Sequence, residues 1–135
     1  MSRFAIDTGP LVAFLSRHDS FNEWAIETLD LIEGPLLTCE AVISEACFLL
    51  RGSRGGPDAV LALVEREIVI VDFDLAAQVQ AVRKLMDKYA SVPMSLADGC
   101  LVRMAELDKT LSIVTLDSDF HVYRRGRAAL CVVSP

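Results

Sequence analysis

Two hydrophobic periodicities alternate along this chain. Short apolar runs typical of buried strands are separated by longer stretches in which apolar residues recur every three or four positions, as in amphipathic helices. The strand-like runs cover residues 3–7, 36–38, 68–71, 111–115 and 129–133. Because helical stretches separate each run from the next, the pattern predicts a three-layer α/β/α fold with a largely parallel five-stranded sheet.

Capping and turn residues mark where several of the predicted helices begin. Pro10 suits a first helical position, where its missing N–H costs nothing. Asp74 and Ser95 stand directly before helical patterns as N-cap residues. Ser20 and Glu23 have the spacing of a capping box, which predicts a further helix start there.

Length and charge restrict the possible classes of protein. A chain of 135 residues suits one domain, here 1–135, and its 53% hydrophobic and 24% charged composition is ordinary for a folded protein. The net charge of −6 argues against a broad basic surface for nucleic acid. It leaves open a site whose own acidic residues are neutralised by bound metal ions.

The cysteines and the N-terminus favour a cytoplasmic protein that does not bind a membrane. None of Cys39, Cys47, Cys100 and Cys131 forms a C-x-x-C pair, and all lie among apolar residues, so we expect free, buried thiols. Asp7 interrupts the apolar stretch that a signal peptide would need. No apolar run has the length of a membrane span.

Two acidic residues directly follow predicted strands. Asp7 ends the first strand, and Asp117 follows the run that ends at Thr115 and Leu116. In a parallel sheet both strand ends lie at the same edge, where α/β proteins bind their ligands. The sequence therefore predicts that Asp7 and Asp117 lie near each other.

Two further acidic residues lie on predicted helices, and their neighbours indicate which way they face. Glu45 stands in the middle of a helix, and the residues three and four positions away are all apolar. These neighbours are Ala41, Val42, Phe48 and Leu49. Asp98 begins a second inward-facing stripe. Both side chains are therefore expected to face the interior, where an unpaired carboxylate is costly.

A cluster of carboxylates points to a hard divalent cation. Oxygen ligands suit Mg²⁺ or Mn²⁺, and such an ion supports hydrolysis of a phosphodiester. Thr8 and Thr115 supply hydroxyl groups beside the same edge. Each acid also has a purely structural interpretation: Asp7 as a helix cap, Asp98 as the third residue of a capped helix, and Asp117 or Asp119 as a turn former.

These motifs resemble those of the PIN-domain ribonucleases, and among them the VapC-type toxins of bacterial toxin–antitoxin pairs. The resemblance spans the chain and rests on Ile6-Asp7-Thr8, Ala41-Val42-Ile43-Ser44-Glu45, Leu96-Ala97-Asp98 and the segment 114–120. It implies a parallel sheet flanked by helices and a metal-dependent endoribonuclease acting on RNA. It also implies a homodimer that an antitoxin protein holds inactive by placing its tail in the acidic cleft.

The resemblance assigns roles to individual positions. Asp7, Glu45 and Asp98 match the three core acids of the family. The fourth acid falls in the segment 114–120, where Asp117 is favoured and Asp119 is a second candidate. The implied mechanism makes Asp7 and Asp98 the principal metal ligands, and Glu45 the group that orients or deprotonates water. Asp117 is then left to hold a second ion or its outer shell.

The densest basic cluster of the chain is a candidate contact for RNA. Arg124, Arg125 and Arg127 form this cluster and could contact RNA phosphates, although a solvated loop is the alternative.

Two rival functions fit part of the pattern. One is a non-catalytic PIN-like module that binds RNA or protein. The other is a receiver-like phosphoacceptor domain, which usually carries a lysine on a late strand, whereas residues 111–117 contain none.

Overall fold

A five-stranded parallel sheet forms the centre of the protein in a computed structural model that describes residues 2–135. The strands are β1 (Arg3–Ile6), β2 (Leu36–Thr38), β3 (Val69–Val71), β4 (Leu111–Val114), β5 (Arg124–Arg125), β6 (Ala128–Ala129) and β7 (Cys131–Val133). The central sheet has the order β3-β2-β1-β4-β7, and its neighbouring strands are all parallel. The predicted fold class is confirmed.

Helices connect the strands and cover the sheet. They are α1 (Thr8–Leu15), α2 (Asn22–Asp30), α3 (Glu40–Leu49), α4 (Gly56–Glu65), α5 (Leu75–Lys88) and α6 (Leu96–Leu107). α1 packs against α2 and α3, α3 against α4, and α5 against α6. A 3-10 helix, Ser118–His121, follows β4. Among residues 2–135, no helix is long and apolar enough to cross a bilayer.

The order of the strands creates a switch point between β1 and β4. From β1 the chain moves outward through β2 to β3, and it then returns to place β4 on the other side of β1. Helices that leave β1 and β4 therefore diverge, and a crevice opens outside the carboxyl ends of these two strands. The residues just after β1 and β4 are thus the ones placed to bind a ligand.

A close contact between α5 and α6 fixes the start of α6 beside this crevice. A Cβ atom at Gly99 would lie 3.3 Å from the side chains of both Val82 and Met86. Glycine therefore lets the two helices approach closely, and a side chain here would crowd Val82 and Met86. The side chain of Ser95 caps α6 as predicted, and Asp74 likewise caps α5.

Several predicted element boundaries were wrong. β1, β3 and β4 are each one residue shorter than predicted. The last strand was expected over residues 129–133, but β7 covers only Cys131–Val133. Instead, β6 (Ala128–Ala129) turns back at Gly126, which has φ of +62°, and pairs antiparallel with β5 (Arg124–Arg125). Ser20 makes no cap for α2 either: Phe21 is the N-cap residue without a side-chain bond.

The four thiols are free, but their burial differs from the prediction. Cys39 and Cys100 are buried, Cys47 is half-buried and Cys131 is exposed. Cys131 begins β7, the strand at one edge of the sheet, where one side remains open to solvent. A strand at the edge of a sheet exposes residues that a central strand would bury.

Candidate active site

The five predicted acids line one cleft at the switch point. Its walls come from the segments after β1 and β4, the middle of α3 and the start of α6. The lining residues are Asp7, Thr8, Gly9, Glu45, Leu49, Pro93, Ser95, Asp98, Leu116, Asp117 and Asp119. Neither histidine nor cysteine is among them. Residues far apart in the sequence therefore meet where the strand order reverses.

Asp7 lies at the bottom of this cleft and is held from two directions. Its backbone N–H donates to the carbonyl of Val114 at 2.9 Å, which extends the pairing of β1 with β4. The Thr115 hydroxyl donates to Oδ2 at 2.7 Å, and the backbone N–H of Thr8 donates to Oδ1 at 2.8 Å. Asp7 is thus both the cap of α1 and a buried acid, with only 7% of its surface exposed.

Burial raises the pKa of Asp7 to about 6. Loss of water disfavours the ionised carboxylate, and the nearby charges of Asp98 and Asp117 act in the same direction. The hydrogen bonds from Thr115 and Thr8 favour the carboxylate but offset only part of this effect. The fold therefore keeps a costly negative charge in a place where a bound cation would relieve the cost.

Asp98 is the third residue of a capped helix and also faces the cleft. Its backbone N–H donates to the hydroxyl of Ser95 at 3.1 Å, as expected for the third residue of a capped helix. Its side chain faces the cleft and is 8% exposed. Oδ2 accepts a hydrogen bond from the hydroxyl of Tyr123 at 2.8 Å. Burial raises the pKa of Asp98, and the bonds from Tyr123 and Ser95 oppose that rise.

Tyr123 is the site residue that the sequence did not reveal. It is fully buried, and its ring packs edge-on against Tyr89 and Phe120 at centroid distances of 5.0 and 5.2 Å. Phe120 and Tyr123 lie three residues apart after the acidic segment, and this spacing was the available signal. Burial raises the pKa of the Tyr123 hydroxyl, so it stays protonated and donates to Asp98.

Glu45 lines the cleft, but it is not buried as we expected. Its side chain is exposed, because Phe48 and Leu49 on the same face are 60% and 51% exposed and do not bury it. Its Oε2 accepts a hydrogen bond from the hydroxyl of Thr8 at 3.3 Å. Glu45 is therefore a solvated carboxylate on the cleft wall, tied to the start of α1.

Asp117 and Asp119 lie together on the remaining wall. Oδ1 of Asp117 accepts from the backbone N–H of Asp119 at 2.9 Å, so Asp117 forms the turn that begins the 3-10 helix. The backbone N–H of Asp117 donates to the hydroxyl of Thr115 at 3.0 Å. Thr115 thus links the main chain at Asp117 to the carboxylate of Asp7. Asp117 is exposed and Asp119 half-buried.

Comparison with known proteins identifies the family. Residues 4–126 match the family model of the PIN domain, a range that contains all five cleft acids. The chain belongs to the PIN-domain family. It is also 28% identical over 116 residues to Ribonuclease VapC26 of Mycobacterium tuberculosis (strain ATCC 25618 / H37Rv), which covers 83% of this chain and 84% of that protein. The resemblance seen in the sequence is thereby confirmed.

The basic cluster of this PIN domain lies on a hairpin that runs from Tyr123 toward the far end of α6. The side chain of Arg125 donates to the carbonyl of Lys109 at 3.1 Å, just before β4, whereas the cleft lies at the other end of that strand. Arg124 and Arg125 form β5, directly after Tyr123, and Arg127 follows the turn at Gly126. The backbone N–H of Arg124 donates to the hydroxyl of Tyr89 at 2.9 Å, which fixes the base of the hairpin. Arg124 and Arg127 are exposed, and none of the arginines is part of the cleft wall.

The acidic side chains at the cleft are oxygen donors of the kind that Mg²⁺ and Mn²⁺ prefer. All the candidate ligands are carboxylates, which are hard oxygen donors, and two of them are buried. Within residues 2–135, however, no three acidic, histidine or cysteine side chains form a group that could hold an ion as they stand. The PIN domain therefore presents a suitable donor set without a formed coordination shell.

Proposed function

We propose that this PIN-domain protein is an endoribonuclease that hydrolyses RNA phosphodiester bonds with the help of Mg²⁺ or Mn²⁺. The burial of two carboxylates, Asp7 and Asp98, in one cleft at the switch point carries this proposal. In the described part of the chain, the ion pairs made by Arg3 and Arg103 involve other acids. A divalent cation would supply the positive charge that the two buried acids need.

The geometry supports a specific division of labour among the acids. Asp7 and Asp98 would hold the ion, because their positions are fixed by hydrogen bonds from Thr115 and Tyr123. Glu45 is solvated and can orient or deprotonate the attacking water. Asp117, with Asp119 as the alternative, would contact the outer shell or a second ion. When bound, the ion would activate water and offset charge on the phosphate.

A cleavage assay tests the activity directly. The purified protein is incubated with a panel of tRNA and rRNA, with Mg²⁺, with Mn²⁺ or with EDTA. We expect cleavage with either metal and none with EDTA. Asp7→Asn should be inactive, and Asp87→Asn, which changes an exposed acid of α5, should cleave like the unmodified chain. Cleavage that persists in EDTA, or in Asp7→Asn at full rate, would contradict the metal-dependent mechanism.

The likeness to Ribonuclease VapC26 supports a role as the toxin of a type II toxin–antitoxin system in the cytoplasm. An acidic cleft open at the surface could also receive the basic tail of an antitoxin protein. Induced expression should arrest growth, and Asp7→Asn should abolish the arrest. If the gene beside this one encodes a small DNA-binding protein, its coexpression should also restore growth. Growth that continues normally during expression would contradict the toxin role.

A homodimer is the assembly that the surface of α3 supports. Phe48 and Leu49 expose large apolar side chains close to the cleft, and such a surface is typical of an interface. Sedimentation of the purified protein should give twice the mass of one chain. The double substitution Phe48→Glu and Leu49→Glu should shift it to a monomer. Monomeric behaviour of the unmodified chain at micromolar concentration would exclude this assembly.

The two rival functions have less support. A receiver-like phosphoacceptor domain would have the strand order 2-1-3-4-5, whereas this sheet has the order β3-β2-β1-β4-β7. A non-catalytic PIN-like module would bind RNA or protein without needing buried acids. Burial raises the pKa of Asp7 to about 6, so its ionised carboxylate is costly at neutral pH, and a costly buried acid in a cleft favours a chemical role. RNA binding without cleavage would instead favour the module.

A further inference from the structure

Tyr123 connects the candidate active site to the aromatic core beneath it. Its hydroxyl donates a 2.8 Å hydrogen bond to Oδ2 of Asp98. Its ring is fully buried and packs edge-on against Tyr89 on one side and Phe120 on the other. The ring therefore has little freedom, and the position of its hydroxyl is set by the packing of the core.

A fixed donor matters for Asp98 because the last torsion of an aspartate side chain is otherwise loosely determined. A hydrogen bond from a neutral hydroxyl to a carboxylate is short and strong compared with a neutral pair. The bond from Tyr123 thus selects one rotation of the carboxylate at the cleft. Asp7 is held in a similar way by Thr115, so both buried acids have a dedicated hydroxyl donor.

We propose that Tyr123 is a positioning residue that orients Asp98 to bind the divalent ion of the nuclease. This inference rests on the proposed function, since it assigns a role to Tyr123 within the same site. Groups that hydrogen-bond to metal ligands fix the ligand's orientation, and their loss typically costs about 10- to 100-fold in metal affinity or activity. Tyr123 contacts Asp98 but does not line the cleft itself, so it would act through Asp98.

The chain offers a matched control for this contact. Tyr89 belongs to the same aromatic cluster, but its hydroxyl accepts a hydrogen bond from the backbone N–H of Arg124, and within residues 2–135 it makes no hydrogen bond to a cleft acid. Tyr89→Phe and Tyr123→Phe each remove one buried hydroxyl while keeping the ring. The difference between them isolates the bond to Asp98 from general effects on the cluster.

Direct binding of Mn²⁺ in the absence of RNA is the first measurement. Calorimetric titration of the unmodified chain, Tyr123→Phe and Tyr89→Phe gives three values of Kd. We expect Tyr123→Phe to bind roughly 10-fold more weakly, or worse, and Tyr89→Phe to stay close to the unmodified chain. Circular dichroism should show that both variants are folded. Equal Kd values for the unmodified chain and Tyr123→Phe would overturn the inference, as would an equal loss in Tyr89→Phe.

The metal dependence of RNA cleavage distinguishes positioning from a structural role. If Tyr123 orients the metal ligand, Tyr123→Phe should need a higher Mn²⁺ concentration for half-maximal cleavage, and saturating Mn²⁺ should restore most of the rate. A purely structural role would lower the fraction of folded protein and leave the half-maximal concentration unchanged. That second pattern would contradict the inference.

A measurement on the unmodified residue does not depend on how the variant folds. The chain has two tyrosines, so labelling with 3-fluorotyrosine gives two fluorine resonances, and Tyr89→Phe identifies the one from Tyr123. Saturating Mg²⁺ should move the Tyr123 resonance more than that of Tyr89. A Tyr123 resonance that stays in place while Mg²⁺ activates cleavage would overturn the inference alone. No Mg²⁺ or Mn²⁺ binding by the unmodified chain would overturn the proposed metal dependence and this inference together.

Discussion

Replacing Asp7 with asparagine is expected to stabilise the folded protein at neutral pH when divalent ions are absent. Burial raises the pKa of Asp7 from 3.8 to about 6, so ionising this carboxylate costs more in the folded state than in the unfolded chain. A difference of one pKa unit is worth about 1.4 kcal/mol, which makes the penalty at pH 7 up to roughly 3 kcal/mol. Asparagine keeps an acceptor for the Thr8 N–H and can donate to Thr115 instead.

The sign of this effect fixes its pH dependence. A group whose pKa is higher in the folded state favours folding while it is protonated, and this contribution is lost as pH rises through the folded pKa. The gap in free energy of unfolding between Asp7→Asn and the unmodified chain should therefore be small near pH 3.5. It should widen between about pH 4 and 6, following the pKa values of 3.8 and about 6, and stay constant above.

Urea unfolding in EDTA at a series of pH values measures this gap. Asp87→Asn, a change at an exposed acid of α5, serves as the control and should follow the unmodified chain at every pH. If Mg²⁺ binds the folded protein at this cleft and not the unfolded chain, it should stabilise the unmodified chain by about 2.7 kcal/mol at 100 times its Kd and close most of the gap. A gap that is absent at pH 7, or that does not change with pH, would refute the reasoning.

Three further outcomes follow from the cleft and the hairpin. Glu45→Gln should lower the cleavage rate by about 100-fold, as is typical for loss of a general base. Glu40→Gln, at the exposed start of the same helix, should leave the rate unchanged. Similar rates for the two variants would exclude Glu45 as the general base. If Asp117 is the fourth acid, Asp117→Asn should reduce the cleavage rate more than Asp119→Asn does. The reverse order in the same assay would identify Asp119 as the fourth acid. Arg127→Gln should weaken RNA binding and reduce the slope of log affinity against log salt by about one, whereas an unchanged slope in filter binding would exclude a phosphate contact.

The sequence predicts the elements of this fold better than their neighbours in the sheet. Apolar runs bounded by turn residues located all five strands of the sheet, because a buried strand needs such a run on both faces. No local sequence pattern predicts that β4 lies beside β1, because strand pairing depends on contacts between distant segments. The hairpin of β5 and β6 was missed for the same reason, and Ala129 was assigned to the last strand.

The sequence correctly predicted a site residue and the reason for its position only where that residue stands directly after a strand. Asp7 and Asp117 followed from the rule that parallel strands end at one edge, and both line the cleft. Glu45 was found through a false premise, because an apolar neighbour in sequence need not be buried: Phe48 is 60% exposed. Tyr123 was missed because its bond to Asp98 joins residues 25 apart, and nothing in its own segment indicates that partner.

The pairing of β1 with β4 also sets when the cleft can exist during synthesis. Asp7 leaves the ribosome well before Thr115, whose hydroxyl holds it and which lies 108 residues later in the chain. Contacts this distant form late, after the intervening chain has been ordered. A nascent chain that lacks β4 would carry Asp7, Glu45 and Asp98 without the crevice that gathers them. An assembled cleft can therefore exist only after β4 and Thr115 have been made.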